Sequence, residues 1–255
     1  MKFYKKTAVK FAASAFSLIV ISSCAKHFDV KHSEYKQYAM DSQLNADSSM
    51  LRYYAPYKQK MEAEMNRVIG FTTAEITKSS APESLLGDFY ADAVLAESRK
   101  IDPSIQFAFP TTKGGIRTSV PKGDITITHV FELMPFENEV VILKLSGQNM
   151  KILIDYLATS SGQPVSGLRM KIKNKEPYDV TIDGKPFDVS QTYTMVTSDY
   201  IANNGDEQKS LANPLERKNA GKKIRDVLID YISEQTKNGR KITPQLDGRI
   251  VVTND

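Results

Sequence analysis

The spacing of apolar residues switches between helical and extended periods along the chain, and this limits the folds open to it. The clearest helical pattern comprises Ile224, Val227, Leu228, Tyr231 and Ile232, which recur at steps of three and four residues. Three further helices are predicted from Met50, Tyr54, Tyr57, Met61, Met65 and Val68, from Leu85, Phe89, Ala93 and Val94, and from Met150, Leu153, Ile154 and Leu157. We expect Pro56 to start or kink the first of these and Gly70 to end it. The second should run from Ser84 to Ser98, and Ser146-Gly147 should open the third.

Short apolar runs rich in β-branched residues predict strands between and after these helices. They lie at 105–109, at Ile125 and Ile127, and at 140–145, 168–172, 178–182, 193–197 and 250–252. A turn at 135–138 should separate the second run from the third, and Gly114-Gly115 predicts another turn. Helices and strands are mixed but do not strictly alternate. The sequence therefore favours an α+β fold, a single domain with a mixed sheet and packed helices, over a doubly wound fold.

The start of the chain has the pattern of a secretory signal. Basic residues are followed by an apolar run at 11–21, which is too short to span a bilayer, and then by Ser22, Ser23 and the chain's one cysteine, Cys24. Residues 20–24 resemble the lipobox of bacterial lipoproteins, and the resemblance implies cleavage before Cys24 and acylation of its thiol. The alternative is an ordinary signal peptide that leaves Cys24 as a free thiol.

These features predict three segments: a signal peptide at 1–23, a polar tether at 24–48 and a folded domain at 49–255. We expect the protein to be lipid-anchored in the bacterial cell envelope. Four of the 34 basic residues lie within the signal segment, and the remaining 30 balance the 30 acidic residues. A mature chain without net charge has no general attraction for nucleic acid.

Residues with catalytic chemistry are few. Three histidines are too few for the histidine-rich centre of a two-metal phosphoesterase. His27 and His32 fall in the tether, and His129 is expected to be a structurally satisfied histidine in a strand. Asp179 and Asp183 form a possible carboxylate pair, but their spacing alone does not place them in one site. Binding is therefore a better prediction than bond breaking, and we assign neither a catalytic residue nor a metal site to this chain.

Several short motifs follow one another in a distinctive order. They are 83–93 (ESLLGDFYADA), 114–117 (GGIR), 135–138 (PFEN), 145–147 (LSG), 165–169 (VSGLR), 198–206 (SDYIANNGD) and 247–250 (DGRI). Together they resemble the C-terminal domain of the 5'-nucleotidase family over roughly residues 49–255. In that family an N-terminal metallophosphatase domain holds two metals and cleaves the phosphate ester, while the C-terminal domain grips the nucleoside.

The resemblance implies roles for four residues. Phe136 and Tyr200 match the two aromatic residues that sandwich the base, a contact that suits any base because every base has a π-face. Arg117 matches the arginine that reaches the sugar-phosphate side, and Asp206 matches the aspartate that accepts hydrogen bonds from ribose. Glu83 and Asp92 would be supporting residues rather than ligands.

We therefore expect this chain to be the nucleotide-binding half of a split 5'-nucleotidase, non-catalytic alone, with divalent metals held only by a separate metallophosphatase chain. The chain differs from the family at Leu85 and Thr112, where the family usually has asparagine, and within 204–208, where two glycines and an aromatic residue are replaced. The changed loop motivates an alternative, a surface-anchored binding or scaffold lipoprotein that has lost nucleotide binding. A third possibility is an independent hydrolase that uses Asp179, Asp183 and Asp206.

Overall fold

The computed structural model describes residues 32–40, 46–207 and 209–253. The predicted signal peptide, Cys24 and His27 lie outside the described residues. The chain divides into two units between Leu51 and Arg52, and the fold below is that of the second, together with the start of a helix that begins at Ser48. Residues 32–40 are exposed and have no regular secondary structure, and His32 lies 3.5 Å from Glu34. Of the helices that the structure describes, none combines the length and the apolar character that crossing a bilayer requires.

Helices and strands alternate irregularly along the described chain. The helices are α1 (Ser48–Met65), α2 (Leu85–Ile101), α3 (Ile127–Leu133), α4 (Gly147–Thr159), α5 (Asp199–Ala202) and α6 (Ile224–Lys237). The strands are β1 (Val68–Thr72), β2 (Phe107–Ala108), β3 (Gly123–Thr126), β4 (Glu139–Ser146), β5 (Leu168–Lys173), β6 (Glu176–Ile182), β7 (Lys185–Pro186), β8 (Thr192–Ser198), β9 (Glu216–Lys223) and β10 (Ile250–Thr253).

Within the described residues the strands form three sheets rather than one. Their orders are β1-β3, β10-β5-β6-β7 and β2-β8-β4-β9. Both four-stranded sheets are mixed, because β10 pairs parallel with β5 and β2 pairs parallel with β8, while the remaining pairs are antiparallel. The α+β class with mixed strand pairing is confirmed, and the division into three sheets is a feature that the sequence did not reveal.

Strand β4 separates two hydrophobic cores. Its side chains alternate between faces, so that Val140 and Ile142 join a core with α2, α3 and α6, whereas Val141, Leu143 and Leu145 join a second core with α4 and β5. Both faces of the strand are thus covered. This explains why 140–145 reads as a nearly continuous apolar run instead of an alternating one.

Three predicted helices are confirmed together with their starting residues or apolar faces. Ser84 caps α2, and its side chain accepts a hydrogen bond from the Gly87 amide. Ser146 caps α4 in the same way through the amide of Asn149. Helix α6 buries Ile224, Val227, Leu228 and Ile232, as its spacing predicts.

The predicted end of the first helix is wrong. Helix α1 ends at Met65, and both Val68 and Gly70 lie in β1. A Cβ atom at Gly70 would stand 2.4 Å from Cγ2 of Ile232, so this glycine permits α6 to pack closely on β1. None of the residues of α1 is buried, although the helix has an apolar stripe.

The strand prediction at Ile127 and His129 is also wrong. Both residues lie in α3, where Nδ1 of His129 accepts a hydrogen bond from the Thr126 amide at 3.1 Å. This contact forms part of a capping box, a local arrangement that overrides the β-branched character of the segment. His129 is hydrogen-bonded, as expected of a structural histidine, but in a helix.

Candidate functional site

Strand pairing brings three separate loops to one edge of the β2-β8-β4-β9 sheet. Val140 at the start of β4 pairs with Ser198 at the end of β8, so the turn before β4 meets the segment after β8. Strand β2 runs parallel to β8, so the loop that follows Ala108 leaves the sheet at this same edge. The amide of Glu139 donates to Oδ1 of Asp199 at 3.0 Å and joins two of the loops directly.

The three loops enclose a pocket of about 360 Å³. Its lining residues are Thr111, Gly114, Gly115, Arg117, Met134, Phe136, Asn138, Tyr200 and Asp206. All four residues that the sequence resemblance singled out are therefore in this lining. The volume lies in the range of 300–1,000 Å³ that is usual for small-molecule sites.

Tyr200 provides one wall of the pocket. It follows Ser198, whose side chain accepts from the Ile201 amide and caps the short helix α5. The Tyr200 ring lies against Gly205, where a Cβ atom would stand 2.5 Å from Cε1 of the ring. The phenol hydroxyl donates to Oδ1 of Asp206 at 2.9 Å, and this hydrogen bond raises the pKa of Tyr200 above its usual value. The ring is half exposed, so its face is open to a ligand.

Phe136 provides a second aromatic wall. Its ring is 36% exposed, and the Arg117 guanidinium lies 5.0 Å from the ring centroid, within the range of a cation–π contact. Arg117 is exposed, and its Nη1 donates a long hydrogen bond of 3.4 Å to the Gly114 carbonyl. Among the described ring–ring contacts, Phe136 does not pair with Tyr200. The pocket thus presents two aromatic surfaces that do not stack on each other.

Arg225 holds the turn that carries Phe136. This side chain is 7% exposed, and its Nη1 donates to the carbonyls of Met134 and Phe136 at 3.5 and 3.4 Å. Its guanidinium also lies 4.0 Å from the centroid of the Phe131 ring and forms an ion pair with Glu137. The sequence analysis missed Arg225, because an arginine beside the apolar face of a helix is ordinarily a solvated residue.

Glu137 links the same turn to two cations. It accepts hydrogen bonds from Lys223 and from Arg225. These two hydrogen bonds lower the pKa of Glu137 to about 2, and the bond from Lys223 has the larger effect. Glu137 is therefore ionised at any physiological pH. Glu137 thus ties the turn between α3 and β4 to Lys223 and Arg225.

Asp179 and Asp183 do not form the carboxylate pair that the third hypothesis requires. Asp179 is bonded to Lys171 at 2.8 Å, and Asp183 is bonded to Arg99 at 2.8 Å. Neither residue lines the pocket that contains Asp206. The structure divides the three proposed carboxylates among separate surroundings.

A second group of charged residues surrounds Arg249. Its Nη1 lies 2.7 Å from Asp92, and its Nε lies 3.1 Å from Asp247 and 3.6 Å from Asp88. The carboxylates of Glu83, Asp88 and Asp247 approach within 4.8 Å of one another, a spacing at which a cation could be held. Arg249 already supplies positive charge there, so we interpret the group as a network of ion pairs and hydrogen bonds that ties the start of β10 to α2.

Glu83 and Asp88 play different parts in this network. Oε1 of Glu83 accepts from the amides of Asp247 and Gly248 at 2.8 and 3.0 Å, the supporting role that the sequence predicts. Burial raises the pKa of Asp88 to about 8, although Arg249 acts in the opposite direction. Asp88 consequently carries a proton at neutral pH.

The chemistry of the pocket at the sheet edge suits a flat ligand with polar groups. Its aromatic faces can stack on a planar ring, Arg117 can bind anionic or hydroxyl oxygens, and Asp206 can accept hydrogen bonds. These three capacities lie within one cavity and on loops held by a rigid sheet.

Comparison with known proteins identifies related chains. The family model described as "5'-nucleotidase, C-terminal domain" matches residues 64–213, more than half of the chain. Among curated proteins, the chain is 28% identical over 202 residues to protein UshA of Escherichia coli, covering 76% of this chain and 36% of UshA. It is 26% identical over 219 residues to the trifunctional nucleotide phosphoesterase protein YfkN of Bacillus subtilis, covering 76% of this chain and 14% of YfkN.

Solved structures show the same relationship. The 5'-nucleotidase precursor from Thermus thermophilus superposes with a TM-score of 0.68 at 28% identity, over 80% of this chain and 43% of that one. The NAD nucleotidase of Haemophilus influenzae shares the fold with a TM-score of 0.63 at 16% identity, over 82% of this chain and 42% of that one. The chain thus spans less than half of each relative.

Proposed function

Since the chain belongs to the 5'-nucleotidase C-terminal domain family, we propose that it binds nucleotides as one half of a split 5'-nucleotidase. In this arrangement a separate metallophosphatase chain hydrolyses the phosphate ester in nucleotide catabolism. The relatives include 5'-nucleotidases, and this chain matches only about a third of their length.

One observation carries the proposal: Phe136, Tyr200, Arg117 and Asp206 come from three loops and line the same pocket. The base lies against the faces of Phe136 and Tyr200, which are exposed and unstacked. Arg117 orients the phosphate side through its planar fork of donors, and Asp206 accepts from the sugar hydroxyls.

The chain's own residues bind and orient the nucleotide and break no bond. Holding a substrate in the right place uses binding energy to offset the entropy that two separate reactants would lose on meeting. This is the contribution that we assign to this half. The metals and the nucleophilic water belong to the partner chain, by the usual two-metal route. We further propose that Cys24 is lipidated and keeps the protein at a membrane of the bacterial cell envelope.

Binding is tested by calorimetric titration of AMP and adenosine into the purified protein. Phe136→Ala and Tyr200→Ala should each raise Kd by about 5- to 150-fold, the effect of losing one stacking contact. Tyr178→Ala is the matched control, because Tyr178 is an aromatic residue with the same 36% exposure as Phe136 and does not line the pocket. Arg117→Met should weaken AMP more than adenosine.

Three outcomes would overturn the proposal. Saturable binding that survives both alanine substitutions would place the ligand elsewhere on the chain. Hydrolysis of AMP by the purified protein with a divalent metal would show that it is an independent hydrolase. If wild type binds neither AMP nor adenosine, the scaffold alternative replaces the proposal, an outcome that the altered residues at 204–208 would then explain.

A further inference from the structure

Asp206 is engaged inside the protein through both of its carboxylate oxygens. Oδ1 accepts from the Tyr200 hydroxyl at 2.9 Å, and Oδ2 accepts from the Thr112 hydroxyl at 2.5 Å. The three side chains form one chain of hydrogen bonds that crosses from the loop after β8 to the loop after β2. A carboxylate whose only task was to receive ribose hydroxyls would not need these two protein donors.

Thr112 is the fixed end of this chain of hydrogen bonds. The residue is 7% exposed, and its carbonyl accepts from the Gly115 amide at 3.0 Å. The neighbouring Lys113 amide donates to Oε1 of Gln163 at 2.9 Å, which anchors the same loop to another part of the fold. Asp206 is consequently tied to a buried and well-held residue.

Asp206 itself has a demanding backbone conformation. Its φ of 53° lies in the left-handed region. Aspartate tolerates this region better than most residues, but the conformation still costs energy in any residue other than glycine. The Tyr200 ring is half exposed, and its hydroxyl contact restricts its movement. The bonds to Thr112 and Tyr200 hold both features in a single arrangement.

We propose that Thr112, Asp206 and Tyr200 form a clamp that fixes the position of the Tyr200 ring before the ligand arrives. Thr112 and Asp206 are positioning residues in this proposal, which rests on the proposed function. The clamp determines affinity for the flat heterocycle itself, independently of any sugar. Binding to an ordered ring avoids the entropy that ordering a free side chain costs.

Adenine has no ribose and adenosine has one. Comparing the Kd of each variant for these two ligands therefore shows whether Asp206 acts through the Tyr200 ring or only on ribose. Tyr200→Phe and Thr112→Val each remove one hydroxyl and keep the shape of the side chain. We expect each to raise Kd by about two- to ten-fold, by the same factor for adenine as for adenosine. Asp206→Asn should weaken adenine as well. Thr112→Ser, which restores the hydroxyl, should recover wild-type affinity for both ligands.

A matched control is available on the other four-stranded sheet. The Tyr178 hydroxyl lies 3.1 Å from Oγ1 of Thr253, so Tyr178→Phe also removes an exposed tyrosine–threonine hydrogen bond but lies outside the pocket. Its affinities should equal those of wild type. Thermal unfolding of every variant shows whether a loss of affinity reflects a loss of folded protein.

The possible results distinguish the two proposals. If wild type binds adenosine and Tyr200→Phe and Thr112→Val bind both ligands as wild type does, the clamp is wrong and nucleotide binding stands. If Asp206→Asn weakens adenosine but leaves adenine unchanged, Asp206 serves ribose alone and the clamp is again wrong. If wild type binds neither ligand, the proposed function fails and the clamp fails with it.

Discussion

Replacing Arg225 by methionine tests how the turn that carries Phe136 is held. Methionine retains an unbranched apolar stem in the buried position but has no donors and no charge. The substitution removes the bonds to the Met134 and Phe136 carbonyls, the contact with the Phe131 ring and the ion pair with Glu137. The turn then keeps its backbone connections to α3 and β4, the ion pair of Glu137 with Lys223 and the contact of Phe136 with Arg117.

The magnitude follows from these contacts. A desolvated cation–π contact contributes about 2 kcal/mol, and the two long hydrogen bonds to carbonyls add about 1 kcal/mol. Part of this total is offset, because a buried guanidinium is itself costly to desolvate. We expect Arg225→Met to lower the free energy of unfolding by about 2–3 kcal/mol, and Tm by roughly 4–12 °C for a domain of this size.

Thermal unfolding followed by circular dichroism measures the change, and titration with adenosine measures its consequence for the pocket. Arg67→Met is the matched control, since Arg67 forms an ion pair with Glu64 in which both side chains are more than half exposed. Such a surface pair adds little to stability. A Tm for Arg225→Met no lower than that of Arg67→Met would refute the idea that Arg225 secures the turn.

Three further substitutions test local features. The folded state keeps the proton of Asp88 up to about pH 8 while the unfolded chain releases it near pH 4, so this group makes stability fall as pH rises between those values. Asp88→Asn should remove that contribution in urea unfolding at pH 5 and pH 8, and parallel pH profiles for variant and wild type would contradict it. Gly205→Ala should displace the Tyr200 ring, given the 2.5 Å approach, and weaken adenosine binding by calorimetry; unchanged affinity would argue against contact between ring and ligand. Gly70→Ala should lower stability by about 1–3 kcal/mol, because its Cβ would overlap Ile232 at 2.4 Å, and a wild-type urea midpoint would disprove the clash.

Capping residues and apolar spacing predicted the helices well where both agreed. Ser84 and Ser146 cap α2 and α4, and the spacing from Ile224 to Ile232 matches the buried face of α6. The prediction failed where local and tertiary effects competed. Gly70 has the chemistry of a helix end, yet its small size serves close packing of a strand on a helix.

Polar segments were the hardest to predict. Strand β9 has the sequence ERKNAGKK, which has no apolar alternation. It pairs with β4 and is the outermost strand on that side of the sheet. Such a strand is stabilised by backbone hydrogen bonds to a neighbouring strand. Its own residues do not show which strand that neighbour is. Arg225 is similar, because its burial depends on the carbonyls and the ring that the fold places around it.

The amino-acid sequence by itself determined the α+β class, the main helices and the membership of a family whose motifs name Phe136, Arg117, Tyr200 and Asp206. These properties depend on periodicity and on short motifs, both of which are local in the chain. The tertiary structure alone decided that these four residues share a pocket, that Asp206 bonds to Thr112 and Tyr200, and that Arg225 supports the turn. Such contacts join residues up to about a hundred positions apart, and only strand register and packing can set their distances.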